Sequence, residues 1–366
     1  MKIKVAKKRK EKKFSSFLNN PIDFTLLITI LLLLSLGLIM VLSASSPSAL
    51  AESGDSYAFF SKQLIFAILG IIAMLFISKI DYRFYQKFYK HAWWISLILL
   101  ALVLVIGREV NGAKRWIYVT KTLSVQPSEM VKFLMIIFYA GILMKNRDEL
   151  QLYKNGFFKH ICLLAPIIGL LLLEPHFSSS IVIIGICSVM MIMAGCKFWH
   201  FLATGGTVGV PAIIGLIILE PYRLRRVITF LDPWKDATDT GWQVIQSLYA
   251  IGSGGLFGAG LGDSKQKFLY IPEPHNDFIF SILGEELGFI GCVAVLILFA
   301  IFIWRGVLIA MRAPDMFGSL LAVGITTLVA IQVIINVAVV TSSMPATGMP
   351  LPFFSYRRNS PVHLTM

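Results

Sequence analysis

One acidic stretch and two basic ones hold the residue types that can do chemistry. In PHNDFIF, Asp277 stands where a long polar loop meets an apolar run, with Glu273 and His275 just before it. A carboxylate at that position has two readings. It can be a helix N-terminal residue stabilised by first-turn N–H groups. It can also be a general base at a membrane surface, where low-dielectric lipid and nearby cations tune its pKa in either direction. The basic stretches are 108–128, with Arg108, Lys114, Arg115 and Lys121, and 220–276, with Arg223, Arg225, Arg226, Lys235, Lys265 and Lys267. Such groups suit phosphate or pyrophosphate, which a guanidinium fork grips with two bonds.

Other charged residues lie inside or at the ends of apolar runs. Glu129 and Lys132 in QPSEMVKF are three positions apart and share a helix face, so they can pair, with Lys132 snorkelling to the interface. Glu285 and Glu286 are adjacent carboxylates within an apolar run, expensive there unless functional or paired. Gly284 and Gly288 around them form a small-xxx-small pair suited to close helix packing. Lys62 reads like Lys132, Glu174 ends an apolar run, and His176 after it reads as a polar cap. Trp116 and Tyr118 fit an interfacial aromatic belt or stacking on a sugar ring.

The elements that must position these residues follow from composition. The chain has 366 residues, 57% hydrophobic and 14% charged, with mean hydropathy +0.77. A soluble domain carries about 25% charged residues. A water-soluble enzyme, a disordered chain and a coiled coil are excluded. Apolar runs long enough to span a bilayer predict helices at about 22–43, 59–79, 91–107, 129–144, 160–173, 177–195, 198–219, 277–304 and 316–340. The fold class is an all-α membrane protein, a polytopic bundle of about nine transmembrane helices with a long outer loop, 220–276, between helices 7 and 8. Pro166 and Pro211 are predicted to kink their helices.

Charge sets the expected topology. Residues 2–13 hold seven Lys, one Arg and one Glu, which keeps the N-terminus cytoplasmic in a plasma-membrane protein. Part of the net charge of +13 lies there, and no folded basic module follows, so nucleic acid is not an expected partner. No cleavable signal peptide is recognisable. Inner loops 80–90, 145–159, the turn at Lys197 and 305–315 are basic, and the outer loop 44–58 has Glu52, Asp55 and neither Lys nor Arg. The two basic stretches break the pattern by lying outside. Either long loops tolerate the charge, or an anionic ligand sits there. Cys162, Cys187, Cys196 and Cys292 form no CxxC pair, and neither disulfides nor zinc are expected.

Loop 220–276 contains LDPW, an amphipathic stretch GWQVIQSLYAIG and the glycine-rich GSGGLFGAGLG. The last is not a P-loop and is read as packing of a re-entrant or interfacial segment.

Seven motifs in order give a resemblance. NGAKRWI, VQPSEMVKF, LLEPHFSSS, TFLDPW, GWQVIQSLYAIGSGGLFGAGLG, YIPEPHNDFIFSILGEELGFIG and GMPLPFFSY together resemble the SEDS family of shape, elongation, division and sporulation proteins (FtsW/RodA/SpoVE), over about residue 20 to Tyr356. FLDPW and PEPHNDFIFSILGEELG resemble the FtsW/SpoVE branch most. The resemblance implies a peptidoglycan glycosyltransferase that polymerises lipid II into glycan strands at the outer membrane face during cell division or sporulation. It implies a class B penicillin-binding transpeptidase and division or sporulation membrane proteins as partners. The family's essential aspartate falls on Asp277, its NGxxRW pair on Arg115 and Trp116, and its PSExxK pair on Glu129 and Lys132. Substrate-binding residues are then expected at Lys114, Arg115, Trp116, Glu129, Lys132, Arg223, Arg225, Arg226, Glu273 and His275, and a magnesium or manganese ion could sit on Asp277 or Glu273. Family members often carry Asp where this chain has His176, and continue after PFFSY with Gly-Gly and a tenth helix. The organisation expected is therefore a basic tail at 1–20, a transmembrane domain at 21–356 and an atypical polar tail at 357–366, as after loss of the last helix.

Two rival functions fit the same residues. A flippase for lipid-linked precursors would line its path with Lys62, Glu129, Lys132, Glu285 and Glu286, although neither an inverted repeat nor paired broken helices is evident. A scaffold without catalysis would still recruit a transpeptidase.

Overall fold

The computed structural model describes residues 22–110, 113–118, 124–174, 177–218, 221–237, 241–267 and 277–355. Among them are nine helices long and apolar enough to cross a membrane, matching the nine apolar runs. The protein is a polytopic helical membrane protein.

Helix α1 (Phe24–Ser53) starts at Asp23, whose carboxylate accepts a hydrogen bond from the Leu26 N–H at 3.0 Å, and ends at Gly54 in the left-handed region. The helix runs through Pro47 well beyond the predicted end at 43. Its 30 residues span about 45 Å, more than a hydrocarbon core of about 30 Å, so one end rises past the apolar layer. α2 (Ala58–Ile77) turns Ile65, Leu69, Ile72 and Phe76 outward, as a peripheral lipid-facing helix does. A short turn, α3 (Arg83–Lys87), leads to α4 (Tyr89–Ile106).

The centre of the bundle is α5 (Pro127–Lys145) and α13 (Met316–Val340), packed on each other. α6 (Lys159–Leu173) and α7 (Phe177–Ala194) follow α5, and α7 packs against both central helices. Apolar burial gives no net drive between helices in lipid, so close contact of small residues matters more. Gly324 shows it: a Cβ there would lie 2.5 Å from Ile136 Cγ2 of α5.

The two prolines behave differently. α6 is continuous through Pro166. The seventh span is interrupted: α8 (Phe198–Thr204) passes through a π-helical segment, Gly205–Gly209, into α9 (Val210–Ile218), with Pro211 at its start. A proline removes one N–H and pushes on the preceding turn, and a widened turn relieves both effects.

Both basic stretches, read as loops, contain regular structure. The first holds a three-stranded antiparallel sheet of β1 (Arg108–Val110), β2 (Ala113–Tyr118) and β3 (Ser124–Val125). Arg108 pairs with Trp116, Val110 with Ala113, and Ile117 with Val125. The second holds α10 (Pro221–Leu231), a 3-10 turn at Pro233–Asp236 and α11 (Trp242–Gly254).

The eighth span, α12 (Ile279–Arg312), is broken at Gly288, whose φ of 67° and ψ of −168° are not helical. The glycine-rich turn after α11 packs into the break. Phe289 N–H donates to the Gly255 carbonyl at 2.9 Å and Ile290 N–H to the Leu256 carbonyl at 3.2 Å. In return, Ala259 N–H donates to the Glu285 carbonyl at 2.9 Å and Gly260 N–H to the Glu286 carbonyl at 3.1 Å. The groups freed by the break thus find partners in the turn, as buried backbone in an apolar medium must. The expected packing role of the glycines is what the structure shows, and α12 supplies a broken helix that the sequence did not reveal.

After α13 the chain folds back on the bundle. Met349, Leu351 and Phe354 are buried, and the Phe354 and Phe353 rings stand 6.1 and 6.4 Å from that of Phe299 in α12. This segment crosses α1 at Gly37, where a Cβ would lie 2.2 Å from the Phe353 carbonyl oxygen. The expected tails at 1–20 and 357–366 lie outside the described residues.

Candidate functional site

Asp277 sits at the turn that starts α12. The Asn336 side chain of α13 donates to the Asp277 carbonyl at 2.8 Å and to the Met349 carbonyl at 2.7 Å. One amide therefore joins the start of α12 to the segment after α13. The carboxylate stands against Gly348: a Cβ on Gly348 would lie 3.3 Å from Asp277 Oδ2. Gly348 has a φ of 68°, a conformation that suits the residue lacking a side chain.

The residues just before Gly348 gather two further elements. Arg226 of α10 donates from its guanidinium to the Ala346 carbonyl at 2.6 Å. Ser178, in the first turn of α7, donates its hydroxyl to the Thr347 carbonyl. Ala346, Thr347 and Gly348 thus hold Arg226, Ser178 and Asp277 on successive residues. Glu174, the residue that follows α6, accepts on its carbonyl from Arg115 Nε at 3.4 Å. The segment after α13 therefore ties α7, α10 and the start of α12 together, while Arg115 ties β2 to the end of α6.

Glu174 is itself notable. It is 1% exposed, and neither carboxylate oxygen has a hydrogen-bond partner among the described residues. Burial pushes its pKa up to about 8, against the pull of the Arg115 cation. Sequence reading passed over it as the polar end of a helix.

The other expected residues divide. Arg115 points to Glu174, whereas strand alternation sends Lys114 and Trp116 of β2 to the opposite face of the sheet. The three expected neighbours in NGAKRW therefore do not act from one face. Lys114 is exposed and Trp116 half-buried. Arg225 is exposed, next to the half-buried Arg226 on α10. The side chain of Arg223, and Glu273, His275 and His176 altogether, lie outside what the structure describes.

Glu129 and Lys132 pair as expected, with Lys132 Nζ 2.9 and 3.0 Å from the two carboxylate oxygens. The snorkelling expectation is corrected: the Lys132 side chain is 1% exposed, against 35% for Glu129, so the ammonium turns into the bundle. Lys267, one of the outer cations, is also buried, with Nζ 3.0 Å from Glu286 Oε1. Glu285 and Glu286 belong to this packed network, while Lys62 is exposed on α2. Among the described residues, no group of three or more His, Cys, Asp or Glu converges to hold a metal ion.

Sequence reading missed Asn336, Ser178 and the Ala346–Gly348 segment. Asn336 had a signal, an amide in an apolar span, which is expensive unless it bonds across helices. The β1–β2 hairpin also had one, Asn-Gly between two short runs with strand propensity. Ser178 and Gly348 had none beyond their place in a motif, and Ala346 and Thr347 had none at all.

The sequence and the fold have counterparts in known proteins. The family model described as a cell cycle protein, FTSW_RODA_SPOVE, matches residues 24–365. The chain is 45% identical over 340 residues to the stage V sporulation protein E of Bacillus subtilis, covering 92% of each chain. It is 42% identical over 340 residues to the "Probable peptidoglycan glycosyltransferase FtsW" of Trichlorobacter lovleyi, covering 92% of this chain and 89% of that one. Among solved structures, it superposes with a TM-score of 0.75 on a chain from work on polymerization and crosslinking by a peptidoglycan synthase complex, at 29% identity and 92% coverage of both. The rod shape determining protein RodA of Thermus thermophilus gives a TM-score of 0.68 at 26% identity, covering 93% of this chain and 91% of that one.

Proposed function

We propose a function from one premise: the chain belongs to the FtsW/RodA/SpoVE family of cell cycle proteins. It is a peptidoglycan glycosyltransferase, the activity for which several of its relatives are named. The donor is lipid II, a disaccharide peptide on a polyprenyl pyrophosphate, and the protein works at the outer face of the cytoplasmic membrane with its N-terminus inside. A class B penicillin-binding transpeptidase is the partner, in division or sporulation.

The chemistry asks for a base and for anion stabilisation. The acceptor hydroxyl attacks the anomeric carbon of the donor sugar, and its proton passes to the Asp277 carboxylate. The bond from that carbon to the pyrophosphate oxygen breaks, and the electron pair leaves with the pyrophosphate. Pyrophosphate is a good leaving group unprotonated, so one carboxylate suffices, whereas glycoside hydrolysis usually needs two. Arg226, with Arg115, Arg223 and Arg225, stabilises the departing charge. Among the described residues no three His, Cys, Asp or Glu converge, and a magnesium or manganese ion held by Asp277 or Glu273 would add Lewis-acid stabilisation of the departing charge.

The observation that carries this reading is the Ala346–Gly348 segment, which gathers Arg226 and Asp277 within three residues. The test is lipid II polymerisation by purified protein with its transpeptidase, comparing the parent with Asp277→Ala. Loss of glycan from a folded variant is expected. Polymer of parental length and rate from Asp277→Ala would end the assignment of the base.

A further inference from the structure

The catalytic reading leaves the largest of the buried charge networks described above, that of Glu285, Glu286 and Lys267, unused. It lies at the break in α12. The Glu285 carboxylate accepts hydrogen bonds from the Ser264 hydroxyl, from Lys265 N–H at 2.8 Å and from Gln266 N–H at 3.4 Å. The Glu286 carboxylate accepts from Ser43 Oγ of α1 at 2.6 Å and from Lys267 Nζ at 3.0 Å. Lys267 Nζ also donates to Ser43 Oγ at 3.2 Å and to the Gly262 carbonyl. The side chains of Lys267 and Glu286 are 5% and 0% exposed.

The main chain of the same two glutamates receives Ala259 and Gly260, as described above. Two adjacent residues therefore hold 259–267 through both backbone and side chain. Glu285 and Glu286 themselves lie on the half-helix Ile279–Leu287 that follows Asp277, whose own backbone is fixed by Asn336. A charge pair buried in an apolar bundle is a poor source of net stability, because desolvation offsets the attraction. Such a pair does specify one geometry, since each alternative leaves a charge without its partner.

We propose that Glu285, Glu286 and Lys267 form a positioning clamp, which fixes the approach of the 259–267 segment to the half-helix that starts just after Asp277 and so sets the reach of the base. The glutamates act as anchors, not as the lining of a lipid path. This rests on the reading of Asp277 as the base.

The test uses the full-length chain with its transpeptidase and lipid II. Glu286→Gln and Lys267→Met each leave a buried charge facing a neutral group. Misplacing a catalytic group by about 1 Å can cost on the order of a hundredfold in rate. We expect kcat to fall about ten- to a hundredfold in each folded single variant, with KM for lipid II changed less than about threefold. The double variant Lys267→Met/Glu286→Leu removes both charges and should recover most of the lost kcat. If the double variant does not fold, Ser43→Ala replaces it and should give a smaller fall in kcat with the same unchanged KM.

Asp277→Asn is run alongside. If it is inactive while the single variants keep parental kcat, the clamp alone is overturned. If Asp277→Asn polymerises normally, the base assignment falls and the clamp with it. A rise in KM with kcat unchanged would show that the cluster touches substrate, which also overturns the clamp.

Discussion

Asn336 donates one hydrogen to the Asp277 carbonyl at 2.8 Å and the other to the Met349 carbonyl at 2.7 Å. This amide is the cross-brace between the start of α12 and the segment that faces the Asp277 carboxylate. Asn336→Leu keeps the volume and removes both donors. Each orphaned buried carbonyl costs about 1–3 kcal/mol. We expect a lower melting temperature in detergent together with a kcat reduced at least tenfold, by loss of placement at Asp277. Parental activity from Asn336→Leu would show that the brace does not govern the site.

Glu174 predicts a pH dependence. Its carboxyl is held up to about 8 by burial, against 4.5 for an ordinary glutamate. The sign follows from proton counts. Between these values the native state keeps the proton and the unfolded state has lost it, so unfolding releases a proton and stability falls as pH rises. Above about pH 8 the loss is complete. The contribution is on the order of a few kcal/mol. Glu174→Gln should flatten the melting-temperature profile between pH 5 and 8 and stabilise the protein most at the alkaline end. An unchanged profile would mean that Glu174 finds a partner in solution.

Gly37 tests the packing of the segment after α13. A Cβ there would meet the Phe353 carbonyl oxygen at 2.2 Å, a contact that needs backbone to move. Gly37→Ala should destabilise by about 1–3 kcal/mol, the usual cost of overpacking, although alanine is the better helix former. The effect should reach activity, because the displaced segment continues from Gly348. Thermal melting and polymerisation measured on one preparation would check both, and a gain in stability would contradict the contact.

Gly288 tests the broken helix. It has a φ of 67°, and a Cβ would lie 2.3 Å from Gly258 N. Gly288→Ala therefore meets both backbone strain, about 1–3 kcal/mol, and a clash with the inserted turn. We expect greater sensitivity to limited proteolysis around 255–262, with helix content unchanged by circular dichroism. A protected turn in Gly288→Ala would show that the break tolerates a side chain.

Much of this protein was legible in its residues. Apolar runs of spanning length leave helices as the available solution in lipid, so the nine spans could be read without coordinates. Asp277 was legible as a carboxylate at a loop–helix junction, and Glu129 with Lys132 as a helical pair. What only tertiary structure decided is which distant groups meet. Helix periodicity does not say that Lys267 leaves the solvent for Glu286, that Asn336 reaches Asp277, or that Ala346–Gly348 collects Arg226 and Asp277. The break at Gly288 was equally hidden. A glycine in an apolar run costs little on paper, and its φ is set by the turn that fills the gap. Spacing along a chain determines local periodicity; long-range pairing depends on how helices cross, and in lipid that is settled by close packing and the need to satisfy every buried polar group.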